Sequence, residues 1–270
     1  MTKLYNLPKN IDILTYSFPC QDLSQQGKQK GLAQNTRSGL LYQIERILEA
    51  NKNNLPKVLV LENVKALTTS KFINSFEDWI KTLETFGYKT KWSVMNSKDY
   101  NSAQNRERVF AVSFLGENNF EFPKINSKPK TIKEVIKQSI NDNNVDLSHM
   151  LNKYKTSSFT KSNNNIIKSK LLDYTSFNSE AYIYDLDGLG PTLTATGANS
   201  RIKIYDKKSQ KLFSMNSLDT YLYMGFKLED ALKVKETNLI SDTKMIFTCG
   251  NSIHVNVLEE LFKEIIKCMK

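Results

Sequence analysis

A single cysteine follows a short apolar segment near the start of the chain. Residues 11–16 (IDILTY) are mostly apolar, and residues 17–22 (SFPCQD) form a turn-like segment that carries Cys20. A strand that ends in such a turn would hold the thiol at the rim of a parallel sheet, where open α/β folds bind their ligands. A thiol becomes a good nucleophile only as the thiolate, which requires a nearby cation, helix N-terminus or proton acceptor. The alternative for Cys20 is a small buried apolar side chain, the commoner state of a free cysteine.

Polar residues elsewhere in the sequence could provide that setting. Glu62 follows the apolar run 58–61, and Arg106 and Arg108 lie two residues apart. Only five of the 38 basic residues are arginine, so the pair indicates positions that need a planar, bidentate donor. Residues 250–252 (GNS) would offer backbone amides and small polar side chains to a ligand, or would form an ordinary turn. A thiol, a carboxyl group and two guanidinium groups are together what an attack on an electron-poor heterocycle needs.

The composition limits the class of protein. The chain has 270 residues, of which 40% are hydrophobic, and a formal net charge of +10, which suggests a polyanionic partner. A general bias toward lysine and asparagine is the alternative explanation of that charge. No apolar run approaches the roughly 18 residues of a membrane span, and the first residues show no export signal. The three cysteines and two histidines lack metal-ligand spacing, so we expect a cytoplasmic protein without a metal site.

The elements that must position these residues follow the order of an α/β sheet with crossover helices. Apolar runs predict strands at 11–16, 58–61, 90–95 and 109–115. Apolar faces predict a helix that starts near 36–38 and another over 72–83, and the polar composition of residues 21–35 predicts a loop. Farther along, the pattern predicts a strand at 202–205, a helix at 217–224, a strand at 245–248 and a final helix at 257–266.

One later segment has no core pattern. Residues 188–201 are rich in glycine and threonine, which is typical of a surface loop. Small residues and hydroxyl groups also suit close approach to a nucleic acid groove, where serine, threonine, asparagine and arginine contact phosphates and base edges. Both interpretations stay open at this point.

Four of these segments resemble, in the same order, the motifs of the DNA (cytosine-5)-methyltransferase family. Residues 17–24 (SFPCQDLS), 62–64 (ENV), 104–108 (QNRER) and 250–252 (GNS) look like motifs IV, VI, VIII and X of that family. Residues 217–226 are similar to motif IX, although the usual arginine before the glycine is absent. Parts of residues 177–201 resemble the mollicute CG-specific members, of the Spiroplasma type.

The resemblance implies a fold and a reaction. The fold is a truncated doubly wound, Rossmann-like methyltransferase sheet with a smaller target-recognition domain. Residues 1–118 and 249–270 would form the catalytic domain, and residues 119–248 the recognition domain, including the helix like motif IX. The reaction is methyl transfer from S-adenosylmethionine to C5 of a cytosine flipped out of duplex DNA, in a CG context.

The resemblance also implies roles for individual residues. Cys20 would add to C6 of cytosine, and Glu62 would engage N3 and the amino group. Arg106 and Arg108 would hold the base and the carboxylate. Cofactor contacts fall on Pro19, Asn251, Ser252 and Ile253, and DNA contacts on Gln21, Ser24, Thr194, Thr196, Gly197, Asn199 and Arg201.

One departure from the family is large. The sequence contains neither the family's glycine-rich loop for S-adenosylmethionine nor the acidic residue that binds its ribose, so the first three motifs are missing. We therefore expect weak cofactor binding by this sequence alone. We also expect that the chain is the C-terminal part of an enzyme, completed by a separate N-terminal methyltransferase polypeptide, or descends from an interrupted gene. The alternative function is a non-catalytic DNA-binding module or remnant.

Overall fold

The computed structural model describes residues 5–18, 41–125, 127–136 and 145–269. The chain divides into two compact units. The first comprises Met1–Met95, Glu107–Phe122 and Glu264–Lys270, and the second comprises Asn96–Arg106 and Pro123–Lys263. Within the described ranges, none of the helices combines the length and the apolar character needed to cross a membrane. The functional division into a catalytic domain and a recognition domain stays a prediction.

A four-stranded sheet forms the centre of the first unit. Its strands are β1 (Ile13–Tyr16), β2 (Val58–Val64), β3 (Tyr88–Asn96) and β4 (Glu107–Leu115), in the order β1-β2-β4-β3. Strand β2 pairs in parallel with β1 and antiparallel with β4, so the sheet is mixed. Residues 58–61 of β2 are all buried, and an unbroken apolar run of this kind is typical of a strand that is covered on both faces of its sheet.

Two helices share a hydrophobic core with this sheet. They are α1 (Leu41–Ala50) and α2 (Ile73–Thr85). Apolar residues three or four positions apart place one face of each helix in the core, as the sequence pattern predicts. The Trp79 indole N–H donates a hydrogen bond to the Tyr16 hydroxyl at 2.9 Å, which ties α2 to β1. The predicted start of α1 near residues 36–38 lies outside the described residues.

The second unit is built around a six-stranded sheet. Its order is β5-β10-β9-β8-β7-β6, with β8 and β9 parallel and the other described neighbours antiparallel. The strands are β5 (Val145–Asp146), β6 (Thr160–Lys161), β7 (Ile167–Lys170), β8 (Tyr182–Asp185), β9 (Lys203–Asp206) and β10 (Lys211–Ser214). The helices are α3 (Ile132–Ile136), α4 (His149–Lys153), α5 (Asn178–Ala181), α6 (Ser217–Tyr223), α7 (Leu228–Glu236), α8 (Asp242–Asn251) and α9 (Val255–Cys268), of which α9 runs on into the residues of the first unit. A second hydrophobic core joins α3, α6, α7 and α8 with β8 and β9.

The strand predicted at residues 245–248 is wrong, because these residues belong to helix α8. The Ser241 hydroxyl accepts a hydrogen bond from the Lys244 N–H at 3.3 Å and so caps the helix start. Met245 and Cys249 are buried while Thr248 is exposed, which is the burial period of a helix. The Gly-Asn-Ser segment at 250–252 consequently ends a helix instead of a strand.

The segment 188–201 is only in part a surface loop. Leu189 and Leu193 are buried, and the Tyr223 hydroxyl donates to the Pro191 carbonyl oxygen at 2.7 Å. Gly190 packs so closely on the Tyr223 hydroxyl that a Cβ atom there would overlap it. The first half of the segment is therefore core, and exposed residues begin only after Leu193.

Candidate functional site

Glu62 and Arg108 form an ion pair on neighbouring strands of the first sheet. In the antiparallel register of β2 and β4, Glu62 lies opposite Phe110 and Val64 opposite Arg108. The two charged side chains are thus diagonal neighbours on one face. Arg108 Nε lies 3.3 Å from Glu62 Oε1, and the side chains are 19% and 16% exposed. A pair held in this way has a defined orientation and retains some access from solvent.

The chain that leads to Cys20 is hydrogen-bonded to the same end of β2. The Ser17 hydroxyl donates to the Glu62 carbonyl oxygen at 2.9 Å, and the Asn63 side-chain amide donates to the Phe18 carbonyl oxygen at 3.1 Å. Asn63 is only 2% exposed, so its bond is protected from water. These two contacts fix the backbone two residues before Cys20 beside Glu62. No role was predicted for Asn63, although it directly follows Glu62 in the sequence.

Four residues of the predicted site lie outside the described residues, and their roles stay predictions. They are Pro19, Cys20, Gln21 and Ser24. Burial raises the pKa of the Cys249 thiol to about 12, so this thiol is protonated at neutral pH and is a poor nucleophile. In the described ranges, no cluster of three or more histidine, cysteine, aspartate or glutamate residues could hold a metal ion.

Arg106 lies in the second unit and has different partners from Arg108. It is 3% exposed, and its guanidinium group donates to three backbone carbonyl oxygens. Nη1 donates to Leu193 at 2.8 Å, and Nη2 donates to Gly250 at 3.2 Å and to Ser252 at 2.7 Å. Arg108 thus pairs with Glu62, whereas Arg106 joins two backbone segments that lie far apart in the sequence.

Gln104 completes the contacts of this motif. It is fully buried, its Nε2 donates to the Tyr223 carbonyl oxygen at 3.1 Å, and its Oε1 accepts from the Leu193 N–H at 3.0 Å. Together, Gln104 and Arg106 bind both backbone polar groups of Leu193. The side chain of Gln104 supports the structure and is not available for reaction.

Three of the four predicted cofactor residues follow one another at the end of α8. Asn251 is the last residue of the helix and is exposed, while Ser252 and Ile253 are half-buried. The amide of Asn251 and the hydroxyl of Ser252 are uncharged donors and acceptors, which suit the ammonium and carboxylate groups of the methionine part of S-adenosylmethionine. The carbonyl end of a helix also favours a positive group. The residues present therefore fit one end of this cofactor.

Five of the seven predicted DNA contacts lie in a loop closed by its own hydrogen bonds. The Thr194 N–H donates to the Asn199 carbonyl oxygen at 3.1 Å, and the Thr194 hydroxyl donates to the Thr196 carbonyl oxygen at 2.8 Å. Gly197 has a φ of +78°, which other residues adopt only at a cost. Thr196, Gly197 and Arg201 are exposed, while Thr194 and Asn199 are half-buried. Their side chains and backbone are accessible to a large ligand.

A cavity of about 230 Å³ in the second unit was not predicted. His254 lines it together with Asn101, Ser102, Glu134, Gly225 and Asn256, among others. His254 is 3% exposed, and burial and the Arg106 cation lower its pKa to about 4, so the imidazole is neutral at physiological pH. A lone histidine has no spacing that would have signalled this environment from the sequence.

Comparison with known proteins identifies the family. The family model for C-5 cytosine-specific DNA methylases matches residues 1–267. The chain is 48% identical over 260 residues to the orphan methyltransferase M.SssI of Spiroplasma monobiae, covering 95% of this chain and 66% of the relative. It is 34% identical over 269 residues to the type II methyltransferase M2.ScrFI of Lactococcus lactis subsp. cremoris, covering 96% of this chain and 67% of that one. The chain thus spans about two thirds of the length of these relatives.

Solved structures agree on the fold. The Entamoeba histolytica methyltransferase EhMeth superposes with a TM-score of 0.69 at 15% identity, covering 96% of this chain and 78% of that chain. The S. pombe Dnmt2 methyltransferase gives 0.66 at 18% identity, with 95% and 77% covered. The predicted α/β methyltransferase fold and the resemblance to the Spiroplasma-type members are confirmed. The chain belongs to the C-5 cytosine-specific DNA methylase family.

Proposed function

We propose that this chain carries the catalytic carboxylate, the nucleophile and the DNA-recognition loop of a DNA cytosine-5 methyltransferase. The observation that carries the proposal is the Glu62–Arg108 pair at 3.3 Å beside the anchored segment that leads to Cys20. The chain spans 66% of the Spiroplasma relative, so the activity is proposed for the protein together with the family segments that this sequence does not include. It acts in the cytoplasm on duplex DNA, as part of a restriction-modification pair or as an orphan enzyme.

The reaction begins with a cytosine turned out of the duplex, since C6 is inaccessible inside the base stack. The Cys20 thiolate forms a bond to C6, and the electron pair of the C5–C6 double bond makes C5 nucleophilic. The Glu62 carboxyl group accepts a hydrogen bond from the amino group and shares a proton with N3, and that proton neutralises the negative charge that develops on the ring. Bound S-adenosylmethionine supplies the methyl group that C5 takes. Loss of the C5 proton to water and departure of the Cys20 thiolate restore the double bond.

Two arginines have separate tasks in this mechanism. Arg108 holds the Glu62 carboxylate in one orientation, so that little reorganisation is needed when the base arrives. Arg106, with its guanidinium bound to three carbonyl oxygens, positions backbone and does not touch the base. This differs from the role that the family resemblance implied for Arg106.

Asn251, Ser252 and Ile253, with Pro19, contact the methionine end of the cofactor. These groups reach one end of a long molecule, so binding by this sequence alone is weak. An N-terminal methyltransferase polypeptide that carries a glycine-rich loop would supply the rest, whether or not it is part of the same chain.

Recognition of DNA uses the loop of residues 194–201, with Gln21 and Ser24 on the side of Cys20. Its hydroxyl, amide and guanidinium groups suit phosphates and base edges. A CG context is proposed from the likeness to the mollicute members. With a net charge of +10, binding should weaken steeply as the salt concentration rises.

The test is covalent trapping on a duplex that carries 5-fluorocytosine, whose fluorine prevents the final elimination. The chain is supplied with S-adenosylmethionine and an N-terminal methyltransferase polypeptide, and the adduct is separated on a denaturing gel. We expect an adduct with the unsubstituted protein and with the control Cys268→Ser, and none with Cys20→Ser, which should still bind DNA. Only salt-reversible binding, without an adduct, would identify a non-catalytic DNA-binding module instead.

A further inference from the structure

Arg106 connects two segments that the proposed function assigns to different ligands. One is the loop of residues 194–201, reached through the carbonyl oxygen of Leu193 at 2.8 Å. The other is the turn of residues 250–253, reached through the carbonyl oxygens of Gly250 and Ser252 at 3.2 and 2.7 Å. We call the set of Arg106, Leu193, Gly250 and Ser252 the Arg106 junction.

A second contact joins the same two segments without involving arginine. Gly250 packs directly on the peptide between Thr194 and Ala195, and a Cβ atom at Gly250 would overlap the atoms of that peptide. The contact is backbone against backbone, so no flexible side chain could move aside to make room. The peptide in question belongs to the first two residues of the DNA-recognition loop, and Gly250 directly precedes Asn251.

We propose that the Arg106 junction couples the two binding events, so that duplex DNA and the cofactor each strengthen binding of the other. The proposal rests on the proposed function, which assigns the loop to DNA and the turn to S-adenosylmethionine. In it Arg106 is a positioning residue. It acts on both ligands through the backbone that it holds and contacts neither of them.

The physical basis is shared ordering. The loop beyond Leu193 is half-buried or exposed, so few buried contacts hold it in place. A ligand that orders the loop also presses residues 194–195 against Gly250, and through the Arg106 junction it orders the turn. The second ligand then has less disorder to remove, which is positive coupling. Linkage requires the effect to be equal in both directions.

The chemistry of the junction requires arginine and glycine. The planar guanidinium group reaches three carbonyl oxygens that diverge in direction, and the single ammonium group of a lysine cannot reproduce that fork. Any side chain at Gly250 would separate the loop from the turn. Both Arg106→Lys and Gly250→Ala should therefore weaken the contact between the loop of residues 194–201 and the turn of residues 250–253. The first substitution removes hydrogen bonds, and the second disturbs the backbone packing.

The test measures the affinity for S-adenosylhomocysteine by calorimetry, with and without a CG-containing duplex, on the chain supplied with the N-terminal methyltransferase polypeptide. We expect DNA to tighten binding by about fivefold or more in the unsubstituted protein. In Gly250→Ala and Arg106→Lys that factor should fall to about one. The matched control is Gly188→Ala, where a Cβ atom would lie 3.2 Å from its nearest neighbours and away from the Arg106 junction, and it should keep the full factor.

The ratio of the two affinities separates coupling from a general loss of structure. Substitution of a residue that only supports the fold would weaken binding of S-adenosylhomocysteine equally with and without DNA, so the ratio of the two affinities would not change. An unchanged ratio in Gly250→Ala and Arg106→Lys would overturn the proposal. If the variants do not fold, hydrogen exchange in the unsubstituted protein decides the matter. S-adenosylhomocysteine added without DNA should slow exchange in peptides covering residues 194–201, and unchanged exchange there would be contrary to the coupling.

Failure of this inference can be told from failure of the proposed function. A protein that methylates DNA but binds S-adenosylhomocysteine equally well with and without the duplex would refute the coupling alone. A protein that neither binds S-adenosylhomocysteine nor forms an adduct with 5-fluorocytosine would refute the proposed function.

Discussion

The Glu62→Gln substitution should reduce methyl transfer far more than it reduces stability. It keeps the size of the side chain and removes the carboxyl group that the mechanism requires to share a proton with N3 of the base. The rate of methyl transfer should fall by about 10²- to 10⁴-fold. The free energy of unfolding should change much less, for reasons that follow from the geometry of the ion pair.

The energy of the pair can be worked out from its distance and exposure. Arg108 Nε and Glu62 Oε1 are 3.3 Å apart, with side chains 19% and 16% exposed. Coulomb's law with an effective dielectric constant of about 20 gives about 5 kcal/mol at this distance. Loss of hydration of both groups offsets most of this attraction, which leaves a net coupling free energy of about 1–2 kcal/mol.

A double-mutant cycle measures this coupling. It compares Glu62→Gln, Arg108→Met and the double variant by urea denaturation followed by tryptophan fluorescence. The two tryptophans of the sequence, Trp79 and Trp92, both belong to the first unit, so the signal reports on the unit that contains the pair. Methyl transfer is measured separately, in buffer without urea and at a temperature at which all variants are folded.

Two results would refute the reasoning. A coupling free energy below about 0.5 kcal/mol, the limit within which independent sites add, would mean that the pair does not hold Glu62. Methyl transfer by Glu62→Gln within a few-fold of the unsubstituted protein would mean that the carboxylate has no part in the reaction.

Three further predictions concern stability. Gly225→Ala should lower the free energy of unfolding by about 1–3 kcal/mol more than Gly197→Ala in denaturant titrations followed by circular dichroism. Both glycines have positive φ (+85° and +78°), but of the two only Gly225 has a neighbour that a Cβ atom would meet, at 2.6 Å. Equal losses in the two variants would contradict this overlap. Tyr16→Phe should lower the free energy of unfolding by about 1–3 kcal/mol in urea denaturation, because the buried Trp79 N–H loses the acceptor that it has at 2.9 Å. A change within error of zero would show that the N–H finds another partner. Burial raises the pKa of Asp219 to about 7, above its value in the unfolded chain, so its contribution to stability should decline as the pH rises from about 4 to about 7. Asp219→Asn should remove that decline, measured as the difference in stability between calorimetric scans at about pH 5 and about pH 8. An unchanged difference in this variant would assign the pH dependence to another group.

Elements with a strong pattern were predicted well from the sequence. The unbroken apolar run of residues 58–61 is a buried strand, and the spaced apolar residues of α1, α2 and α9 form helices that each bury one side. In α9 the buried face is narrower than predicted, because Val257, Leu261 and Ile265 are buried while Ile266 is 50% exposed. These patterns are local, because the period of apolar residues within one element is enough to indicate its type and its buried face. The order of the four motifs, which needs no geometry, was enough to indicate the family.

Short apolar runs without a clear period were predicted less well. Residues 245–248 contain residue types that favour strands, yet they lie in α8, because the contacts of Met245 and Cys249 in the second core favour the helical period. In the segment 188–201, Leu189 and Leu193 are core residues although glycine and threonine surround them. In both cases distant parts of the chain decide which side chains are buried.

The features of the candidate site also fall into those that follow from the sequence and those that depend on the tertiary structure. The sequence alone determined the residue types of the site, their order along the chain and the charge that favours a polyanionic partner. Only the tertiary structure decided that Arg108 binds Glu62, while Arg106, two residues earlier, binds carbonyl oxygens at Leu193, Gly250 and Ser252. The partners of Arg106 lie 87 to 146 residues away in the sequence. Contacts over such separations leave no periodic trace in the sequence, because the fold of the intervening chain, and not the spacing of residues, brings the groups together.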